Sequence, residues 1–127
     1  VDRAIIGSIA DADRIYHLAL REEWEDASGR GVYRQSTLGR SLEDEGFIHC
    51  SFPTQVQLIA DLVYRERDDV VLLEIDPSGV SAEIRVEAVG DHRFPHIYGG
   101  LPVEAVVRVS EVPLGNDGQL LVEPLLD

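Results

Sequence analysis

Ser41-Leu-Glu-Asp-Glu-Gly-Phe-Ile-His-Cys-Ser-Phe-Pro-Thr54 changes backbone habit three times. Ser41 to Glu45 reads as a short acidic helical turn that closes on Gly46, a residue free to take the left-handed conformation. Phe47-Ile-His-Cys50 then reads as a strand, and a second helix opens at Ser51-Phe-Pro-Thr54. Period-two alternation puts His49 and Ser51 on one pleat face, at a strand-to-helix junction where polar groups reach a ligand. The acids Glu43, Asp44 and Glu45 read as a solvated helix face rather than a catalytic cluster.

Upstream, Arg14-Ile-Tyr-His-Leu-Ala-Leu20 alternates Ile15, His17 and Ala19 against Tyr16, Leu18 and Leu20, and reads as a strand with His17 near its middle. Residues 1–13 carry a weak apolar patch, either a loose arm or a first edge strand. Arg21 to Ala27 reads as a short helix turning Trp24 and Ala27 inward, stopped by Ser28-Gly-Arg-Gly31. Val32 to Thr37 reads as a loop bordering the site.

Downstream, Val56, Ile59, Ala60, Val63 and Tyr64 mark one face of an amphipathic helix over 54–67, with Pro53 suited to its first turn. Val70-Val-Leu-Leu-Glu-Ile-Asp76 is a nearly continuous apolar run, expected mid-sheet. Pro77 to Gly79 turns the chain into a half-exposed strand over 82–89. A loop over 90–95 leads to His96-Ile-Tyr98 and a turn at Gly99-Gly100, and Val103 to Val109 reads as a strand with Val103, Ala105, Val107 and Val109 on one face. Gly115-Asn-Asp-Gly118 signals a closing hairpin against 119–123. Strands outnumber helices and dominate the second half. The expected class is therefore α+β with a mostly antiparallel sheet, rather than a doubly wound parallel fold.

A chain of 127 residues buries about two-thirds of its unfolded surface, so one domain over 1–127 with its own core is expected. No run approaches the roughly 18 to 20 apolar residues that span a bilayer, and Val1-Asp-Arg3 lacks a signal-peptide pattern. A soluble, cytoplasmic protein is expected, and the single Cys50 leaves no internal disulfide. The formal charge of −13 opposes non-specific nucleic-acid binding. All 11 basic residues are Arg, so Schiff-base chemistry on lysine is excluded, while guanidinium forks remain available for a phosphate.

No dinucleotide or phosphate-loop glycine pattern occurs. His17, His49 and His96 sit in or beside apolar strands, where each alone fits a half-buried imidazole and the three together fit a shared site. Three imidazoles would leave zinc an open position, but no compact His-x-His or His-x3-His pair supports a metal, and none is expected. Cys50 points away from His49 and reads as buried and inert. Ser51 suits both a helix cap and an anion-binding helix start. Tyr33 and Tyr98, beside loops, are candidates for stacking on a flat ring, and Glu87 and Glu104, in strands near His96, both suit ribose hydroxyls.

Ile15-Tyr-His17, Trp24-Glu-Asp-Ala27, Gly46-Phe-Ile-His-Cys-Ser51 and Phe94-Pro-His-Ile-Tyr-Gly99 resemble a small bacterial family, domain of unknown function 952, from about Arg14 to Val112. That family has been grouped with the ADP-ribosyltransferase superfamily. The resemblance implies a split antiparallel sheet with two or three helices and a central cleft that binds NAD as substrate. It implies that Tyr16-His17 meets the adenine-side ribose. Leu42 to Ser51 is similar to a region of the RNA 2′-phosphotransferases, so His49 and Ser51 would face the cleft, with His96 and Tyr98 on the strand of the third catalytic position. Diphtheria-toxin-type transferases place a Glu there; this chain departs, leaving Glu87 or Glu104 to substitute.

The leading expectation is an enzyme that transfers or cleaves an ADP-ribosyl group, with His17, His49, Ser51, His96 and Tyr98 catalytic and Tyr16, Tyr33, Arg34, Arg40 and Arg93 holding the nucleotide. The alternatives are a nucleotide- or metabolite-binding module without turnover, and an interaction protein that works through its acidic surface.

Overall fold

Val70–Ile75 is apolar at every position but Glu74, so a strand built from it can be covered on both faces. It forms the middle of a three-stranded antiparallel sheet in the computed structural model, which describes residues 13–126. The arm or edge strand expected at the N-terminus thus lies outside the described residues. In chain order the strands are β1 (Ile15–Leu20), β2 (Val32–Tyr33), β3 (Gln35–Thr37), β4 (Arg40–Ser41), β5 (Ile48–His49), β6 (Val70–Ile75), β7 (Ile84–Val89), β8 (His92–Ile97), β9 (Leu101–Pro102) and β10 (Val106–Glu111). The helices are α1 (Arg21–Arg30), α2 (Leu42–Glu45) and α3 (Val56–Val63). The class is α+β, and every strand pairing is antiparallel.

Strand β6 pairs with β1 from Ile15 opposite Ile75 to Leu20 opposite Val70, and with β10 on its other edge. Alternation then sorts the side chains into two cores. Ile15, Ala19, Val71, Leu73 and Ile75 pack on one face with Ala27 and Trp24 of α1. Tyr16, Leu18, Val70 and Leu72 pack on the other with Val56 and Ala60 of α3 and with Leu120 and Val122 of the tail. Each fully buried side chain of this size contributes about 1.5–3 kcal/mol. His17 lies on the α1 face, between Ile15 and Ala19.

A second three-stranded sheet runs β5-β8-β7. The two sheets share a core, in which Ile48, Ile84 and Ile97 pack with Ile15, Leu73 and Ile75, and a backbone bridge joins them. After the Cys50 N–H reaches the Pro95 carbonyl (3.0 Å), the chain leaves β8 and crosses to β1, where Tyr16 and Ser51 exchange two backbone hydrogen bonds of 2.8 and 2.7 Å.

Several segments depart from the sequence reading. The loop expected over 32–37 is instead β2 and β3, because Tyr33 finds Leu101 and Gln35 finds Ser41 as partners. Helix α1 continues to Arg30, with Gly31 (φ 92°) as its left-handed stop. The helix expected over 54–67 starts as a 3-10 turn at Pro53–Gln55 and ends at Val63. Beyond it Glu66 takes φ 68° and its N–H is held by the Gly118 carbonyl of the tail turn, so the helix cannot continue. The loop expected over 90–95 shrinks to Gly90-Asp91, and Phe94-Pro-His96 lies inside β8. Pro95 is tolerated there because its missing N–H faces the side on which β5 ends. Val103–Ala105 is a 3-10 turn rather than strand, and β10 begins only at Val106. Val107 and Val109 are consequently 49% and 42% exposed instead of facing a core, and Glu104 is exposed on the turn. The tail closes around Gly115–Gly118 through a Leu114–Leu120 bridge, as its glycines signal. No helix among the described residues is long and apolar enough to cross a membrane.

Candidate functional site

Two local devices deliver the motif strand. Ser41 caps α2 by accepting the Asp44 N–H (3.1 Å), while the Asp44 carboxylate accepts the Ser41 N–H (3.0 Å). Those bonds hold the Asp44 carboxyl below its usual range. Gly46, at φ 89°, then reverses the chain, a conformation that a side chain would strain. Phe47 and His49 leave the turn on one pleat face.

Across the strands His49 stands opposite His96, and Glu87 on β7 is diagonal to His96. The contacts form a line. His49 Nδ1 lies 3.2 Å from His96 Nε2, His96 Nδ1 lies 2.7 Å from Glu87 Oε1, and the Tyr98 hydroxyl donates to the same oxygen at 2.5 Å. Phe47 stacks on the His96 ring at 4.1 Å, and the Arg85 guanidinium lies 4.3 Å over Tyr98. Burial pushes Glu87 up, but the hydrogen bonds from Tyr98 and His96 outweigh it and hold the carboxyl below its usual value. Burial, then Glu87's hydrogen bond and charge, raise Tyr98. Burial foremost, with the charge of His96 second, lowers His49 to about 4, so its ring is neutral at pH 7.

His49 and His96 open on a pocket of about 260 Å3. Ser36, Thr37, Glu45 and Phe47 share its wall with them, and Ile59, Val63 and Val89 close its apolar side. The Tyr64 phenol donates to the Leu18 carbonyl at 3.1 Å. Ser36 is 1% exposed, and its hydroxyl is the buried side-chain polar atom that lacks a partner among the described residues.

His17 stands apart from this pocket. Its Nδ1 donates to the His49 carbonyl at 2.6 Å, which leaves Nε2 to accept the Tyr33 hydroxyl at 2.9 Å. Burial lowers His17 to about 4. Both ring nitrogens are therefore used in holding β1, β2 and β5 together. Tyr33, expected beside a loop as a stacking ring, is a core residue at 1% exposure. Tyr16 is buried in the α3 core, and Ser51 is buried beside it with its backbone paired to Tyr16. Ser51 does not cap the following helix: Phe52 occupies that position, and its N–H is held by Gln55 Oε1.

Of the arginines, Arg40 lies beside the pocket through its ion pair with Glu45 (2.6 Å). Arg34 clamps Glu43 and lines a separate hollow of about 190 Å3 with Glu23, Asp26 and Arg30. Arg93 is exposed on β8, where its carbonyl accepts from Gln55. Of the two acids, Glu87 is the one brought to His96. Burial raises the Cys50 thiol. No group of three His, Cys, Asp or Glu among the described residues is arranged to hold a metal ion.

Sequence reasoning missed Ser36, Glu45 and Phe47. Phe47 was within reach, since it sits two residues before His49 on the motif strand. Ser36 gave no signal, because its burial depends on β3 being a strand.

The fold is similar to that of protein CC0527 from Caulobacter crescentus. Its crystal structure is 32% identical, covers 89% of this chain and 97% of that one, and superposes with a TM-score of 0.80. Its solution NMR structure is 30% identical, covers 88% and 95%, and has a TM-score of 0.74. No curated protein matches the chain. A family model described as protein of unknown function (DUF952) matches residues 18–109, and with the motif strand and the histidine pair inside that span, the chain belongs to this family.

Proposed function

We propose that the pocket binds the nicotinamide-ribose end of NAD, or of a related nucleotide, and that the chain transfers or cleaves the ADP-ribosyl group, as its resemblance to the ADP-ribosyltransferase superfamily implies. The observation that carries this reading is a neutral imidazole in the pocket wall, His49, backed through His96 by the ionised Glu87. In the proposed step the acceptor oxygen, from a hydroxyl or water, bonds to C1′ of the ribose as the C1′–N bond breaks. Nicotinamide leaves with the bonding pair, and the acceptor proton passes to His49 Nε2. Glu45 in the pocket wall is the carboxylate that positive charge developing on the ribose would meet.

The fit is partial. About 260 Å3 lies below the ~300–1,000 Å3 of sites that enclose a whole cofactor, so the pocket takes one end of the dinucleotide and the diphosphate lies outside it, toward Arg40. One observation favours a module that binds without turnover: Glu45 and Glu87 are both already partnered, by Arg40 and by His96 with Tyr98.

Thermal-shift titration with NAD, ADP-ribose, nicotinamide and a non-nucleotide control tests the reading. A ligand at about 100 times its Kd stabilises the native state by about 2.7 kcal/mol, which raises Tm by several degrees. No rise with any of the nucleotides overturns the proposal. A rise without nicotinamide release over hours selects the binding module.

Ser36→Ala gives a second expected outcome. A buried hydroxyl without a partner is a cost of about 1–3 kcal/mol, so the ligand-free variant should melt no lower than wild type. Its affinity for the stabilising nucleotide should fall by about 5- to 50-fold, because a ligand group that turns the hydroxyl toward itself loses that bond. A lower ligand-free Tm would show that Ser36 holds the fold instead.

A further inference from the structure

We infer that His49 is a general base whose proton-accepting atom, Nε2, is set by two positioning residues, His96 and Glu87, and that Glu87 acts on the reaction only through the two imidazoles. The inference rests on reading the pocket as a reaction site, but its first readout needs no ligand.

An ionised carboxylate only accepts, so His96 Nδ1, 2.7 Å from Glu87 Oε1, carries a hydrogen. Where that is the only ring hydrogen His96 carries, its Nε2 is a lone pair. His49 Nδ1, 3.2 Å away, must supply the hydrogen between the two rings. That choice strips His49 Nε2 of its proton and makes it an acceptor. The carboxylate therefore decides, two imidazoles away, that the site offers a lone pair rather than an N–H. Tyr98 supports the choice by donating to the same carboxylate oxygen, and Phe47 holds the His96 plane by stacking on it. The His49 main-chain carbonyl is fixed separately by His17. The ring and backbone of His49 are thus held by two different partners.

The acid lacking at the superfamily's third position is on this account not replaced by a group that touches ribose. Glu87 serves as the end of a relay, and the atom that meets the acceptor is a nitrogen.

The test is long-range proton–nitrogen NMR on protein labelled with 15N-histidine, recorded at a pH where the His96 ring shows a single nitrogen-bound hydrogen. Wild type should show both His49 and His96 protonated on Nδ1. In Glu87→Leu, His96 is free to carry its hydrogen on Nε2 and to donate to His49 Nδ1, which moves the His49 proton to Nε2. Both tautomers should flip together. Glu87→Gln, whose amide oxygen still accepts, should keep the wild-type pattern and most of the activity, while Glu87→Leu should lose as much as removal of the His49 ring. A wild-type spectrum with His49 protonated on Nε2 overturns the inference, whether or not the leucine variant folds. So does a leucine spectrum identical to wild type. The expected spectra without nucleotide binding would leave the relay standing and remove the nucleotide reading alone.

Discussion

Replacing His17 with alanine should lower the free energy of unfolding by about 3–5 kcal/mol, a large share of the 5–15 kcal/mol typical of a domain. The side chain is 4% exposed, so its removal leaves a cavity in the α1 core. It also orphans two buried partners, the Tyr33 hydroxyl and the His49 carbonyl, each worth about 1–3 kcal/mol when left unsatisfied. Urea denaturation of the two proteins reads the difference, and a loss under 1 kcal/mol would contradict the structural role. The same residue makes stability depend on acid. Burial holds His17 at about 4 in the fold against 6.5 when unfolded, so below pH 6.5 the unfolded chain binds the extra proton. Its contribution is complete above about pH 6.5 and is lost as the pH falls toward 4, amounting to about 3 kcal/mol. His49, lowered in the same sense, adds to the slope. Tm measured from pH 7.5 to 4 should fall steeply in wild type and less steeply in His17→Ala.

On the proposed function, His49→Ala should do the opposite, sparing the fold and removing the proposed reaction. The main-chain carbonyl that receives His17 survives the substitution, and the lost ring stands at a pocket wall rather than in a core. Tm should change by a few degrees at most. Turnover should fall by about 10²- to 10⁴-fold, the usual contribution of a positioned general base. The loss should appear in kcat more than in KM, since the proton moves only in the transition state. Nicotinamide release followed in parallel with thermal unfolding separates the two effects. Turnover within threefold of wild type would remove His49 from the reaction.

The contrast between these two histidines shows what could be read in advance. Period-two alternation located β1 and β7, a continuous apolar run located β6, and the glycines Gly46 and Gly118 located the turn before β5 and the tail turn, because those signals are local. The same alternation says that His17 and His49 lie in strands but not what faces them. The partner of His17 is Tyr33, sixteen residues on, and Tyr33 reads as a loop residue because a two-residue strand has no period to detect. The choice between Glu87 and Glu104 was undecidable for the same reason: register across β7 and β8 settles it, and register is a tertiary fact. Pro95 misled in the opposite direction, since a proline inside a central strand is tolerated only where a neighbour happens to end.

Cys50 lies at the seam between the two sheets, fully covered, between the residue that pairs with His96 and the residue that bridges to Tyr16. Its thiol has no route to solvent while the bridge is closed, and burial keeps it from ionising. The chain therefore carries its own clock: under native conditions the pace at which a thiol reagent consumes this sulfur counts how often the two halves part.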